Sequence, residues 1–219
     1  MNIECRRNVF CLFLMKKQLS FRRCALFFMA LIFSGFVALL LFDVELLAKT
    51  DSRGMDRLFG IVGVIKVPPA KDPVRIHLKD MNGNNISLSD FKGKIVFLNF
   101  WTTWCPTCRI EMPSMEKLHQ KLKNKNFAMV TINLQESASQ VKAFFKEFKL
   151  TFTALLDSTG EVGASFGIRA IPTTYILDKT GRIIGQVSGP REWDSKAAIA
   201  LFENLIDNDV VAATSEAAD

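Results

Sequence analysis

Histidine is nearly absent from this chain, and cysteine is scarce where a folded domain would use it. There are 2 His and 5 Cys among 219 residues. Cys5, Cys11 and Cys24 fall near the N-terminus, which leaves Cys105 and Cys108 for everything that follows. A zinc centre needs four ligands, usually in pairs, and His77 and His119 are isolated from each other, so the spacing argues against metal. No cysteine is left for a second disulfide, so the pair is either a structural staple or redox chemistry. A staple closing so short a loop restricts the unfolded chain little, which favours chemistry. A surplus of one charge sign is also missing from the later chain. The formal charge is +6, yet residues 66–219 hold 19 Lys/Arg against 17 Asp/Glu. Much of the excess is Arg6, Arg7, Lys16, Lys17, Arg22 and Arg23, which argues against a nucleic-acid surface. There is no internal repeat and no low-complexity block.

Those basic residues precede an uncharged run, Cys24 to Phe42. As a helix its 19 residues would measure roughly 28 Å, close to the hydrocarbon thickness of a bilayer. Asp43 and Glu45 follow it, so the positive-inside rule puts residues 1–23 in the cytoplasm and the remainder outside. The competing reading is a cleaved signal peptide. Its apolar core is usually shorter, and Leu46 is large for the small-x-small pattern that would end at Ala48. Met15-Lys16-Lys17 also has the form of a start followed by a basic n-region, which makes residues 1–14 an expected upstream extension.

Residues 43–65 are expected to be a linker, 66–208 the folded domain and 209–219 a frayed tail. Leu58–Ile65 is apolar and would either pack on the domain or rest at the membrane surface. Pro68, Pro69 and Pro73 mark the domain entrance. Val74–Lys79 and Asn85–Leu88 read as a hairpin around Asn82-Gly83-Asn84. Buried strands are predicted at Ile95–Phe100, Phe127–Asn133 and Thr173–Asp178. Helices are predicted over 109–123, 140–148, 161–166 and 192–206, and Arg182–Val187 closes a second hairpin. Strands alternating with helices before a terminal hairpin mean an α/β fold, a central mixed sheet flanked by helices.

Trp104-Cys105-Pro106-Thr107-Cys108 lies where a buried strand gives way to a helix. There, unsatisfied backbone N–H groups and the helix dipole favour a thiolate. Cys105, at the N-cap edge, is the candidate nucleophile; Cys108, one turn inside, suits the resolving role. Pro106 is tolerated because its missing N–H is not needed in the first turn. Glu111 shares a helix face with Met115, Leu118 and Leu122. It is either a snorkelling surface glutamate or a desolvated acid that passes protons to and from the cysteines. Pro113 should kink the helix. Trp101 reads as core, and Trp104 as an apolar surface for partners.

The block Asn99-Phe100-Trp101-Thr102-Thr103-Trp104-Cys105-Pro106-Thr107-Cys108-Arg109-Ile110-Glu111-Met112-Pro113 resembles the active site of TlpA/ResA-like thiol–disulfide oxidoreductases, thioredoxin-fold proteins of the bacterial periplasm. Leu88–Lys94, Asn133–Ser137 and Ile171-Pro172-Thr173-Thr174-Tyr175 match in order and spacing, so the likeness spans about 74–207. It implies a thioredoxin-like fold, Cys105 and Cys108 as the redox pair, Ile171-Pro172 as the cis-proline segment facing them and Glu111 as the active-site glutamate. Thioredoxins proper carry a buried aspartate where this chain has Asn99, so proton handling would fall to Glu111. Pro106 and Thr107, between the cysteines, would tune the potential.

The expectation is therefore a single-pass inner-membrane protein with its catalytic domain in the periplasm, needing no cofactor and no metal. It would reduce envelope protein disulfides, such as those of apocytochrome c during cytochrome c maturation, and be recharged by a membrane thiol electron donor. The alternatives are a disulfide-forming oxidant or isomerase, a copper carrier, and a peroxidase in which Thr102 would serve Cys105.

Overall fold

The computed structural model describes residues 53–68 and 70–207. The expected cytoplasmic segment 1–23, anchor 24–42, Met15 start and tail 209–219 lie outside the described residues. No helix among the described residues is long and apolar enough to cross a membrane.

The sheet has eight strands: β1 (Ile65–Lys66), β2 (His77–Asp80), β3 (Asn85–Ser87), β4 (Ile95–Trp101), β5 (Phe127–Leu134), β6 (Thr153–Asp157), β7 (Thr173–Leu177) and β8 (Ile183–Ser188). Their spatial order is β1-β8-β7-β4-β5-β6-β2-β3. β4, β5 and β6 are mutually parallel; on one side β7 is antiparallel to β4 and β8 to β7, and on the other β2 is antiparallel to β6 and β3 to β2. The helices are α1 (53–62), α2 (Pro106–Leu122), α3 (Ala138–Phe148), α4 (Glu161–Ser165) and α5 (Lys196–Asp207), with a 3₁₀ turn at Leu88–Phe91.

β4 sits at the centre and is buried along its whole length. Its side chains alternate between two cores. Phe97 and Trp101 join the core formed with α1, α2, α3 and α5, whereas Val96, Leu98 and Phe100 join the opposite one. Asn99 shares the face of Phe97 and Trp101, which turns a polar side chain toward α2. Phe97 packs edge-on against Trp193 at 4.7 Å, and Trp101 lies 4.9 Å from Phe144.

β6 has no counterpart among the predicted strands. Thr153-Ala154-Leu155-Leu156-Asp157 has a single β-branched residue, so propensity does not mark it. Pairing creates it, with Val130 to Leu134 of β5 facing Thr153 to Asp157 in register. α2 begins three residues earlier than predicted because Cys105 caps it and Pro106 occupies its first turn. It runs unbroken through Pro113, whose ring is exposed. α5 begins four residues later than predicted. The preceding residues form a loop that drives Trp193 into the core with no exposed surface.

Of the expected 43–65 linker, residues 43–52 lie outside the described residues, and 53–65 form α1 and β1. Residues from Gly54 onward belong to the compact unit that continues to the C-terminus. Met55, Phe59 and Val62 recur at helical spacing on α1 and are buried, while Ile61 and Ile65 stay exposed. β1 then adds to the edge of β8, Ile65 opposite Gln186 and Lys66 opposite Gly185.

Candidate active site

Cys105 and Cys108 form a disulfide across the first turn of α2, with Cα atoms 5.3 Å apart. Cys105 is the N-cap residue, in extended conformation, and its Sγ accepts the Cys108 amide N–H at 3.2 Å. That donor, one of the four that every helix start leaves unpaired, favours negative charge on sulfur. Thr107 Oγ1 lies 3.3 Å from the same sulfur. Cys108 has no exposed surface and Cys105 is 4% exposed. Pro106 and Thr107 are exposed between them. Two large apolar side chains near the start of α2 face solvent, Trp104, next to Cys105 in the chain, at 68% and Ile110 at 72% exposed.

A second loop closes over the sulfur. The Ile171-Pro172 peptide bond is cis, and the Ile171 carbonyl lies 3.8 Å from Cys105 Sγ. Pro172 is buried and its carbonyl accepts the Gly189 N–H at 2.8 Å.

Glu111 lies beneath the pair, one turn along α2, and is 1% exposed, so it is not a snorkelling surface residue. Its carboxylate accepts Asn99 Nδ2 at 2.9 Å on Oε1, and Trp193 Nε1 at 3.0 Å and the Arg191 amide N–H at 3.3 Å on Oε2. Burial raises the Glu111 pKa from 4.5 to about 7, against the opposing pull of these three donors and the Arg191 charge. Asn99 is itself held by Thr174 Oγ1 at 3.0 Å, while its Oδ1 has no partner among the described residues. A carboxyl poised near neutrality, one helical turn from a cysteine, is suited to giving and taking a proton.

Sequence reasoning missed four side chains that shape this site. Glu136 is buried and accepts the Thr103 amide N–H at 2.7 Å, the Thr103 hydroxyl and Asn133 Nδ2 at 2.6 Å. It thereby ties the segment entering the Cys105 cap to the end of β5. Gln135, with φ of 57°, turns the chain so that Glu136 faces back, and Ser137 then caps α3. Arg109 donates to the Thr103 carbonyl at 3.2 Å and lies over the Phe144 and Phe148 rings, 5.1 and 4.7 Å from their centres. Trp193 and Arg191 come from the loop before α5. A tryptophan isolated in the polar stretch Gly189–Ser195 was the available signal. Its partner is 82 positions away in sequence and is brought to it only by the fold.

The two histidines stand apart. His77 is on the exposed edge of β2; His119, on α2, meets Phe152 edge-on, and burial lowers its pKa.

Residues 66–201 match the model of the Redoxin family. The chain belongs to that family. It is similar to the thiol-disulfide oxidoreductase ResA of Bacillus thuringiensis subsp. konkukian (strain 97-27). The two are 41% identical over 87 residues, which is 40% of this chain and 50% of that protein. It is also similar to the thioredoxin-like protein YneN of Bacillus subtilis (strain 168), 48% identical over 82 residues, 36% of this chain and 48% of that protein. The chain thus spans about half the length of the curated relatives it matches. Among solved structures, StoA from Bacillus subtilis superposes with a TM-score of 0.52 at 31% identity, covering 60% of this chain and 99% of that one. A secreted thiol-disulfide isomerase from Corynebacterium glutamicum superposes with a TM-score of 0.59 at 27% identity, covering 66% and 92%. In this Redoxin chain the thioredoxin-like core is the mixed sheet centred on β4 with its flanking helices, and the Cys105–Cys108 bond lies at the C-terminal end of β4.

Proposed function

We propose that this Redoxin chain is a membrane-anchored thiol–disulfide oxidoreductase that works outside the cytoplasm as a reductase of protein disulfides. The observation that carries the reading is the Cys105–Cys108 disulfide at the α2 N-cap, with the cis Ile171-Pro172 loop at its sulfur and the exposed Trp104 ring next to Cys105 in the chain. In the reduced enzyme the Cys105 thiolate attacks one sulfur of a partner disulfide. A mixed disulfide forms and the partner's other sulfur leaves as thiolate. The Cys108 thiol gives up its proton and attacks Cys105 Sγ. That step releases the partner's second thiolate and leaves the Cys105–Cys108 disulfide. Two electrons have passed to the partner, and its two thiolates take up protons from solvent. Glu111 takes the Cys108 proton in this scheme and returns it when a membrane thiol donor of two electrons reduces the pair. Haem-site disulfides of apocytochrome c are the substrates that the TlpA/ResA-like resemblance supports, and the basic residues before Cys24–Phe42 support the anchored, outward-facing topology.

The likeness to a secreted isomerase favours one second reading, in which the pair makes or shuffles disulfides. The equilibrium of the couple with glutathione separates them. A potential nearer about −250 mV supports the reductase, and one near about −120 mV overturns it. A Cys108→Ser variant should accumulate the mixed disulfide on Cys105, and mass spectrometry of that adduct names the substrate. Recovery of no cytochrome or other envelope disulfide protein would count against the assignment.

A further inference from the structure

The loop over 189–193 touches both the active site and α1. Gly189 donates to the Pro172 carbonyl. The Arg191 amide and the Trp193 indole both donate to Glu111. Ser114 Oγ, one turn along α2 from Glu111, accepts the Trp193 amide N–H at 3.1 Å, and its proton is shared between the Glu111 carbonyl at 2.8 Å and the Arg191 carbonyl at 3.3 Å. The Arg191 side chain leaves in the other direction. Its Nε donates to the Val62 carbonyl at 3.0 Å, at the C-terminal end of α1. A helix C-terminus is where backbone carbonyls lack partners and where a cation is favoured.

The seat for the guanidinium is shaped for it. Gly63 turns the chain out of α1 with φ of 75°, and a Cβ there would stand 3.1 Å from Arg191 Nε and Nη2. α1 is held against the sheet by Met55, Phe59 and Val62. Gly185 makes room for that docking, since a Cβ on it would stand 2.7 Å from Val64 Cγ1 and 3.1 Å from Phe59 Cε1.

We propose that Arg191 is a positioning residue through which the docking of α1 on the domain sets the place of Glu111 beneath the Cys105–Cys108 pair. With α1 seated, the guanidinium is pinned at Val62 and the 189–193 loop is stretched between that point and Ser114, which aims the Arg191 amide and the Trp193 indole at the carboxylate. With α1 lifted, the guanidinium keeps only its bond to the Pro190 carbonyl of its own loop, and the two donors lose their aim. α1 is the stretch of the domain nearest in sequence to Cys24–Phe42, so events at the N-terminal side reach the proton-handling group by this route. The inference rests on the reading of Glu111 as that group. The groups facing Glu111 are Asn99 from β4, with Thr174 of β7 behind it, and Trp193 and Arg191 from the loop. Arg191 carries the charge among them, and the reduced thiols of Cys105 and Cys108 are the titratable groups at the start of α2.

The test is the pH profile of iodoacetamide alkylation of the reduced full chain, followed by mass at Cys105, in the wild type and four variants. Arg191→Ala removes the link to Val62 and the charge but keeps the backbone donor. Arg191→Lys keeps the charge without the planar donor. Phe59→Ala and Gly185→Ala loosen α1 from opposite sides of its contact, so that one remains informative if the other does not fold. Arg191→Ala should move the inflection assigned to Glu111 upward by about half a pH unit, a roughly threefold change in rate on its flank. Arg191→Lys should recover part of that shift, and the α1 variants should move the inflection without touching residues 189–193. In a Glu111→Gln background, Arg191→Ala should add nothing. A wild-type profile that Glu111→Gln leaves unchanged overturns the proton role and this inference with it. A profile that Glu111→Gln alters but Arg191→Ala does not overturns the coupling alone. An Arg191→Ala shift that persists undiminished in the Glu111→Gln background also overturns it.

Discussion

Replacing Glu111 with glutamine should change how the stability of the oxidised domain depends on pH. Glu111 is 1% exposed, and its carboxyl pKa stands at about 7 instead of the ordinary 4.5. Between those two values the folded chain keeps a proton that the unfolded chain has given up. Folding stability from this group is therefore complete below the lower value and falls as pH rises toward about 7. The full difference corresponds to about 3 kcal/mol, an upper figure because relaxation and water entry soften the cost of burying the charge. Glutamine carries no charge at any of these pH values. Its carbonyl oxygen can take the Trp193 and Arg191 donors, and its amide can face Asn99 Oδ1, the acceptor that has no partner among the described residues. Any fixed cost of imperfect geometry is the same at every pH. The stability difference between Glu111→Gln and wild type should thus swing toward the variant by about 2–3 kcal/mol from pH 4 to pH 8. Urea denaturation of both proteins in the oxidised state, at matched ionic strength across that range, measures it. A difference constant with pH would mean that Glu111 titrates like a surface carboxylate, and the case for it as a proton carrier would fall with that result.

Glu136→Ala should destabilise the domain by about 2–4 kcal/mol, because the Thr103 amide and the Asn133 amide group are left buried without their acceptor. Chemical denaturation checks this, and a loss below about 1 kcal/mol would show that Glu136 is not a clamp. Trp104→Ala should leave stability within about 0.5 kcal/mol, since the ring is exposed. Its reaction with a protein disulfide should slow by about tenfold while its reaction with oxidised glutathione stays unchanged, as expected if the ring touches partners and not sulfur. Equal slowing with both would refute that role.

The order of elements and the location of the site were legible because local pattern carries them. Ile95–Trp101 is apolar at every position except Asn99, the pattern of a buried strand, and Cys105-Pro106 has the chemistry of a helix start. Features that depend on distant partners were not legible. β6 is short and weakly β-forming, and exists because β5 and β2 pair with it on both sides. Glu136 looks like any acid before a capped helix until Thr103 is brought against it. Arg191 and Trp193 meet Glu111 across about 80 positions of chain, with contacts that no spacing rule encodes. The apolar stretch before β1 left its destination open between domain and membrane surface. Gly185 is what settles it, as the place on β8 that lets Phe59 and Val64 approach.

The grip of Glu136 on Thr103 is independent of the sulfurs. It holds the strand-to-helix corner from the side of β5, through the backbone amide of a residue two positions before Cys105. Arg109 holds the same residue by its carbonyl from the first turn of α2. The corner is thus secured at both backbone polar groups of Thr103, by contacts that involve neither cysteine. Breaking the disulfide then frees a bond and not a loop. Cys108 stays at an effective concentration near Cys105 that is set by helix geometry, far above what two untethered thiols reach. In the proposed scheme a mixed disulfide on Cys105 would meet its resolving thiol already in place, so that its lifetime would depend on how quickly Cys108 gives up its proton and not on a search for the sulfur.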